Sequence, residues 1–174
     1  MARPSLSDLS ELAPGPETCG EIDIRIARDG TWFYHGSPIG RKPLVKLFAS
    51  VLRRNSDGSY WLITPSERVR IQVDDAPFVA VAMTMMGEGR KARLSFVTNV
   101  DDTVNAGRDH PIRVAFDPAT GEPAPYVMVR DGLEALISRP VYYELVAIGE
   151  SRGAAYGVWS DGKFFALGEA PCAS

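Results

Sequence analysis

The sequence predicts an α+β fold with antiparallel sheets, in which a unit of strand, strand, helix and strands occurs twice in tandem. Apolar residues alternate with polar ones in most segments, which is typical of half-buried strands. One segment instead has apolar residues at helical spacing. The links between neighbouring strands are too short for helical crossovers, so antiparallel pairing is favoured.

The first half of the chain begins with a predicted hairpin, which a helix follows. Apolar alternation at 22–26 and an aromatic run at 31–36 indicate two strands joined by a turn at 28–30. The helix is predicted over 42–54, with Pro43 in its first turn, where helix N–H groups have no partner in any case. Its apolar positions are Leu44, Leu47, Phe48, Val51 and Leu52. Further strands are predicted at 60–64, 68–73, 77–86 and 92–99.

The second half of the chain repeats the first in outline. A strand is predicted at 110–117, and the segment 126–137 aligns with 37–48. That alignment places Arg130 on Arg41, so it predicts a second helix that begins near Arg130. Few residues are identical, so chance similarity is the alternative to internal duplication.

The predicted domain organisation follows from this repeat. The segment 140–149 takes the position of the strand at 59–64, and 156–167 resembles 69–80. A short helix at 5–13 precedes the repeats. The predicted parts are an N-terminal helix and linker at 1–20, a first α+β repeat at 21–100, a second α+β repeat at 101–168 and a tail at 169–174.

Composition and charge predict a soluble protein without a membrane span. The 174 residues are 45% hydrophobic, enough for a sizeable core. The formal net charge of −3 argues against a dedicated nucleic-acid binder, which usually carries a basic field. No apolar run approaches the roughly 18 residues of a membrane span, and the N-terminus lacks a secretory apolar region. Cys19 and Cys172 are expected as free thiols, in keeping with a cytoplasmic location.

No catalytic or metal-binding motif has the sequence context that its chemistry requires. GESRG at 149–153 fits the G-x-S-x-G pattern, but a strand rather than a helix is expected after it, and both histidines lie upstream. The two cysteines and two histidines are too dispersed for a zinc set. DDTVNAG at 101–107 resembles a calcium loop but lacks its glycine and final glutamate. We therefore expect no cofactor, and a non-enzymatic function is favoured.

Eight short runs spread over about residues 20–168 carry a family resemblance: DGTWFYHGSPIGR, LFASVL, LITPSE, DAPFVA, FVTN, YVMVR, LEALISRPVYYELV and VWSDGKFF. Together they resemble a bacterial family known as domain-of-unknown-function family 1285. The resemblance implies a duplicated α+β core whose units look like pleckstrin-homology folds, with a shallow central cleft. It also implies a role in signal transduction.

Two cations, Arg41 and Lys42, stand where the first helix begins, beside the positive end of the helix dipole. The duplication predicts the same position for Arg130. Either a neighbouring carboxylate, such as Glu67 or Asp74, pairs with Arg41, or the cations and free helix N–H groups bind an acidic ligand. Other residues at strand ends and element boundaries are predicted to line the same ligand-binding cleft: Thr64, Glu67, Thr98, Asn99, Arg139, Tyr143 and Trp159.

These observations predict a non-enzymatic protein that binds a small anionic ligand or a peptide in its cleft. The first alternative is an enzyme whose residues come from distant positions, such as His35 with Asp74 or Glu67. The second alternative is a protein–protein scaffold, for which an exposed apolar patch is the expected sign.

Overall fold

The chain divides between Pro77 and Phe78 into two units, each built around a six-stranded sheet. The structure, a computed structural model, describes residues 19–170. The predicted helix at 5–13 and the residue Cys172 lie outside the described residues. Within 19–170, no helix has the length and hydropathy needed to cross a membrane.

The described part of the first unit contains six strands and one α-helix. In chain order these are β1 (Cys19–Ile26), β2 (Trp32–Tyr34), β3 (Ser37–Pro38), α1 (Lys42–Ser50), β4 (Leu52–Arg54), β5 (Tyr60–Ile63) and β6 (Arg68–Val73). The sheet order is β3-β2-β1-β6-β5-β4. Every neighbouring pair is antiparallel except β1 with β6, which is parallel.

The core of the first unit forms where α1 meets the sheet. The predicted alternation on β1 is confirmed, because Ile24 and Ile26 are buried. The ring of Trp32 stacks on Phe48 of α1, with ring centroids 5.9 Å apart and planes 15° apart. Helix α1 ends at Ser50 rather than at the predicted residue 54, because Leu52–Arg54 pairs with β5 as a strand.

The described part of the second unit contains nine strands, one α-helix and a 3₁₀ turn at Gly89–Lys91. In chain order the elements are β7 (Phe78–Met86), β8 (Arg93–Thr98), β9 (Thr103–Asn105), β10 (Ile112–Phe116), β11 (Pro123–Arg130), β12 (Leu133–Ile137), α2 (Arg139–Ile148), β13 (Glu150–Arg152), β14 (Ala155–Ser160) and β15 (Lys163–Glu169). One sheet has the order β10-β11-β12-β7-β8-β9 and the other β13-β14-β15. Strands β7 to β9 belong to this unit, because β7 pairs with β12, so the units divide earlier than the predicted boundary at residue 100.

The helix predicted to begin near Arg130 is wrong. Strands β11 and β12 form a hairpin there, and its turn has positive φ at Asp131 (45°) and Gly132 (80°). Asp-Gly is a typical pair for such a turn, because these residues tolerate positive φ. Leu133 and Ala135 alternate with half-buried neighbours, so β12 buries one face in the strand period rather than the helical one.

The strand predicted at 140–149 is helix α2. Its β-branched and aromatic residues favour a strand locally, but Val141 and Leu145 lie one helical turn apart and are both buried. Packing of this apolar stripe therefore outweighs the local preference.

The order of elements nevertheless repeats. Three strands, a helix and three strands occur as β1 to β3, α1 and β4 to β6, and again as β10 to β12, α2 and β13 to β15. This order, with few helices and mostly antiparallel sheets, is consistent with the predicted duplicated α+β architecture. The equivalent helix starts are Lys42-Pro43 and Arg139-Pro140, so the cation that corresponds to Lys42 is Arg139.

Candidate functional site

Arg41 and Lys42 stand at the start of α1, as predicted, and both are exposed. Arg41 is the N-cap residue, and its carbonyl oxygen accepts the N–H of Leu44 at 3.1 Å. The carboxylate of Asp74, one of its two predicted partners, instead forms an ion pair with Arg25. Asp74, which follows β6, therefore has a structural partner on the neighbouring strand β1.

Thr64 and Glu67 close the turn between β5 and β6. The N–H of Thr64 donates to the carbonyl oxygen of Glu67 at 2.8 Å, and the N–H of Glu67 donates to Thr64 Oγ1 at 3.0 Å. Both residues are half-buried. These reciprocal bonds give the pair a role in the geometry of the turn.

Thr98 and Asn99 are held by hydrogen bonds to the backbone where β8 ends. Thr98 is 1% exposed, and its Oγ1 accepts the N–H of Asp102 at 3.1 Å. Asn99 Oδ1 accepts the N–H of Val79 at 3.0 Å, and the N–H of Asn99 donates to the Val79 carbonyl at 2.9 Å. The two side chains thus fix the turn after β8 and the start of β7.

Three further predicted residues of the second unit lie on β11 and α2. Arg130 ends β11 and is half-buried, with its guanidinium carbon 5.8 Å from the centroid of the Phe78 ring. Arg130 and Asn99 therefore both meet the start of β7. Arg139 is the first residue of α2 and is exposed, and Tyr143 of the same helix is 62% exposed.

Trp159 on β14 is the centre of an aromatic and charged cluster. Its Nε1–H donates to Glu150 Oε1 at 2.6 Å, and Phe164 meets its ring edge-on at 5.3 Å between centroids. The guanidinium carbons of Arg90 and Arg152 lie 5.1 and 4.9 Å from its ring centroid. Both distances are within the range of cation–π attraction, so the indole holds two cations beside one carboxylate.

A groove of about 250 Å³ adjoins this cluster. Two carboxylate residues, Glu88 and Glu150, line it together with Trp159 and Gly89. Met85 and Ile148 are 45% and 37% exposed, so part of the apolar lining reaches solvent. The apolar lining residues are Met85, Ala92, Ile148 and Val158.

Comparison with known proteins identifies the family. Residues 14–76 match the model described as the N-terminal domain of DUF1285, a domain of unknown function, and residues 77–167 match that described as the DUF1285 C-terminal domain. The chain belongs to the DUF1285 family. This confirms the resemblance predicted from the eight short runs, and no curated protein matches the chain.

Two solved structures of DUF1285 proteins resemble this chain. The crystal structure of a DUF1285 family protein from Silicibacter pomeroyi DSS-3 is 54% identical, with a TM-score of 0.84 over 91% of this chain and 88% of that chain. The crystal structure of a DUF1285 family protein from Shewanella baltica OS155 is 28% identical, with a TM-score of 0.53 over 70% of this chain and 87% of that chain.

The surroundings of His35 and of the GESRG motif bear on the predicted enzymatic alternative for this DUF1285 chain. His35 Nδ1 lies 3.4 Å from Asp23 Oδ2, so its acidic neighbour is Asp23 rather than Asp74. Both side chains are 64% exposed, which gives no water-excluding site. Ser151 of the GESRG motif lies on β13, after a helix and before a strand, whereas a nucleophile elbow needs the opposite order.

Sequence reasoning found Trp159 but missed the residues around it. Glu150 and Arg152 lie on β13, which forms a hairpin with β14, whereas Arg90 comes from the turn after β7, far earlier in the chain. One available signal was the apolar end of β7, because successive methionines before a Gly-rich turn predict apolar side chains near solvent.

Proposed function

We propose that this DUF1285 chain is a non-enzymatic binding protein of the bacterial cytoplasm that takes a peptide in the groove beside Trp159. A role in signal transduction, pleckstrin-homology-like units and a central cleft belong to the same proposal and rest on the resemblance stated above. An anionic ligand for that cleft rests on the cations Arg41 and Lys42 at the start of α1. The observation that supports peptide binding is the groove, with its apolar lining and two carboxylates.

The size and chemistry of the groove favour a peptide side chain. Its volume of about 250 Å³ is below the range of about 300–1,000 Å³ that holds a whole small molecule. It suits one or two side chains of a longer ligand. Methionine adapts its shape to different partners, and tryptophan offers a rigid apolar wall. Arg90 and Arg152 lie over the Trp159 ring but do not line the groove, whereas Glu88 and Glu150 do, so the lining itself favours a lysine or arginine on the ligand.

The neighbouring strand offers a way to hold the ligand backbone. β13 is the outer strand of its three-stranded sheet, and all three of its residues are exposed. An extended peptide can add to such an edge through main-chain hydrogen bonds while alternate side chains enter a pocket. Glu150 belongs both to β13 and to the groove lining, so the two contacts are adjacent.

Fluorescence anisotropy of a labelled peptide of alternating lysine and valine tests this proposal. Glu88→Gln with Glu150→Gln is expected to weaken its binding about fivefold to tenfold, because each exposed charge pair contributes modestly. Glutamine at 150 still accepts the Trp159 Nε1–H, so the cluster is expected to remain intact. Glu122→Gln, an exposed carboxylate outside the groove, is the matched control. Equal binding by wild type, the double variant and Glu122→Gln would overturn the proposal.

A further inference from the structure

The outer face of the sheet in the first unit carries a cluster of arginines. Arg53 of β4 is the register partner of Trp61 on β5, and Trp61 is the partner of Arg70 on β6, so the three lie in one row. Arg68 precedes Arg70 by two residues on β6 and therefore points to the same side. We call Arg53, Trp61, Arg68 and Arg70 the arginine face.

The alternation of burial shows that this face points to solvent. Arg53, Arg68 and Arg70 are all exposed. Leu52, Leu62, Val69 and Ile71 alternate with the arginine-face residues along the same strands and are all buried. The opposite face of the sheet therefore contributes its side chains to the core, whereas the arginines of the arginine face point to solvent.

The three guanidinium groups are not neutralised by the side chains that the structure describes. None of them has a carboxylate within ion-pair distance there, whereas Arg25 on the same sheet is paired with Asp74. Arg53 Nη1 donates to the carbonyl oxygen of Leu52 at 2.7 Å. This acceptor is neutral, so the bond does not compensate the charge of Arg53. Arg68 lies 4.6 Å over the Trp61 ring.

Two acidic residues belong to the surroundings of Arg70, one by strand register and one by its electrostatic interaction. Glu21 is its register partner on β1. The pKa of Asp57 is lowered chiefly by hydrogen bonds from Ser59, and Arg70 adds a smaller contribution. Three arginines against these two acids still leave an excess of positive charge on a chain whose net charge is −3.

We propose that the arginine face binds an acidic peptide segment in extended conformation. Residues two apart on a strand are separated by about 6.4–6.8 Å, and alternate side chains of an extended peptide have the same spacing. Carboxylates at alternate peptide positions therefore match Arg68 and Arg70. Arg53 lies two strands away, at about 10 Å, within reach of a further carboxylate. Guanidinium groups bind carboxylates through paired hydrogen bonds, which favours arginine at such a site.

The aromatic rings on this side of the sheet disfavour nucleic acid as the partner. Single-stranded nucleic acid binds where bases can stack on open aromatic rings. Here Arg68 covers Trp61, and Arg25 covers Phe33 at 4.7 Å. Trp61 Nε1–H also donates to Ser59 Oγ at 2.8 Å, which holds the indole in place. The exposed groups are thus cations rather than stacking surfaces.

The test uses the full chain and a labelled peptide of alternating glutamate and valine, at about 0.15 M salt, where long-range attraction is screened. Wild type is expected to bind it, and Arg68→Gln with Arg70→Gln to weaken binding about tenfold, as expected for two exposed charge pairs. Arg54→Gln is the matched control, because Arg54 is also exposed but points to the other side of β4. Thermal melting of each variant shows whether the fold is kept.

Equal binding by Arg54→Gln and wild type, with loss in the double variant, supports the proposal. Equal binding by all three proteins, or no binding by wild type, overturns it. Tighter binding of an oligo-dT strand of the same net charge also overturns it, in favour of nucleic acid. The groove beside Trp159 is tested with the lysine peptide, so either proposal can fail without the other.

Discussion

Ser160 offers a sharp test of how the second unit is held together. It is 0% exposed, and its hydroxyl lies between two neighbouring strands. Ser160 Oγ accepts the N–H of Leu94 at 2.9 Å and donates to the carbonyl of Ala106 at 2.7 Å. On the same row, the N–H of Ala106 donates to the carbonyl of Leu94 at 2.9 Å. The hydroxyl thus bridges the N–H of Leu94 and the carbonyl of Ala106, in place of a second backbone hydrogen bond between these two residues.

Ser160→Ala removes the hydroxyl. The buried N–H of Leu94 then loses its acceptor, and the buried carbonyl of Ala106 loses its donor. An unsatisfied buried polar group costs about 1–3 kcal/mol, so we expect a loss of about 2–4 kcal/mol in the free energy of unfolding after partial relaxation. Urea unfolding, followed by tryptophan fluorescence, measures this change directly.

The matched control for this prediction is Ser95→Ala. Ser95 Oγ donates to Asn105 Oδ1 at 2.5 Å at the surface of the same strands, so its loss is expected to cost about 0.5 kcal/mol or less. A Ser160→Ala protein as stable as the control would refute the reasoning. It would mean that Leu94 and Ala106 close the gap and bond to each other.

Two further predictions concern a close backbone approach and a titrating side chain. Gly157→Ala is expected to lower the melting temperature markedly, because the added Cβ would lie 2.1 Å from the Phe165 carbonyl oxygen, whereas Gly168→Ala enters open space and should leave it unchanged. Burial raises the pKa of Tyr142 above its usual 10.0, which favours the protonated form in the folded state. Its contribution to stability is therefore complete below pH 10.0 and is lost as the pH rises further. Tyr142→Phe should flatten the fall of the free energy of unfolding above that pH, as urea titrations will show; an unchanged slope would contradict this assignment.

Strands with one buried face were predictable from the sequence. The segment RVRIQV was predicted as a strand at 68–73 and forms β6 over the same residues. Val69 and Ile71 are buried and the intervening arginines exposed, so the period of two in the sequence is the period of burial. A local pattern is sufficient there because burial on one face is the only requirement.

The repeat was predictable in outline but not in register. The alignment that placed Arg130 at a helix start compared apolar positions, which fit a strand and a helix equally well over a few residues. The Asp131-Gly132 pair was the local signal for a hairpin. The choice of helix at 139–148 depended on packing, because Val141 and Leu145 are buried on a helix that contacts β7, far earlier in the chain, as well as β14.

By itself, the sequence determined the α+β class, the position of helix α1 and most strands, and the family. These features depend on local periodicity, on turn residues and on short sequence runs typical of the family. Each of these signals lies in neighbouring positions of the chain. Only the tertiary structure decided which side chains meet. Trp159 collects Arg90, Arg152 and Glu150, and the arginine face is assembled across three strands by register. Contacts of this kind depend on how strands pair and twist, and the alternation of apolar and polar residues along one strand does not specify the register of its partners.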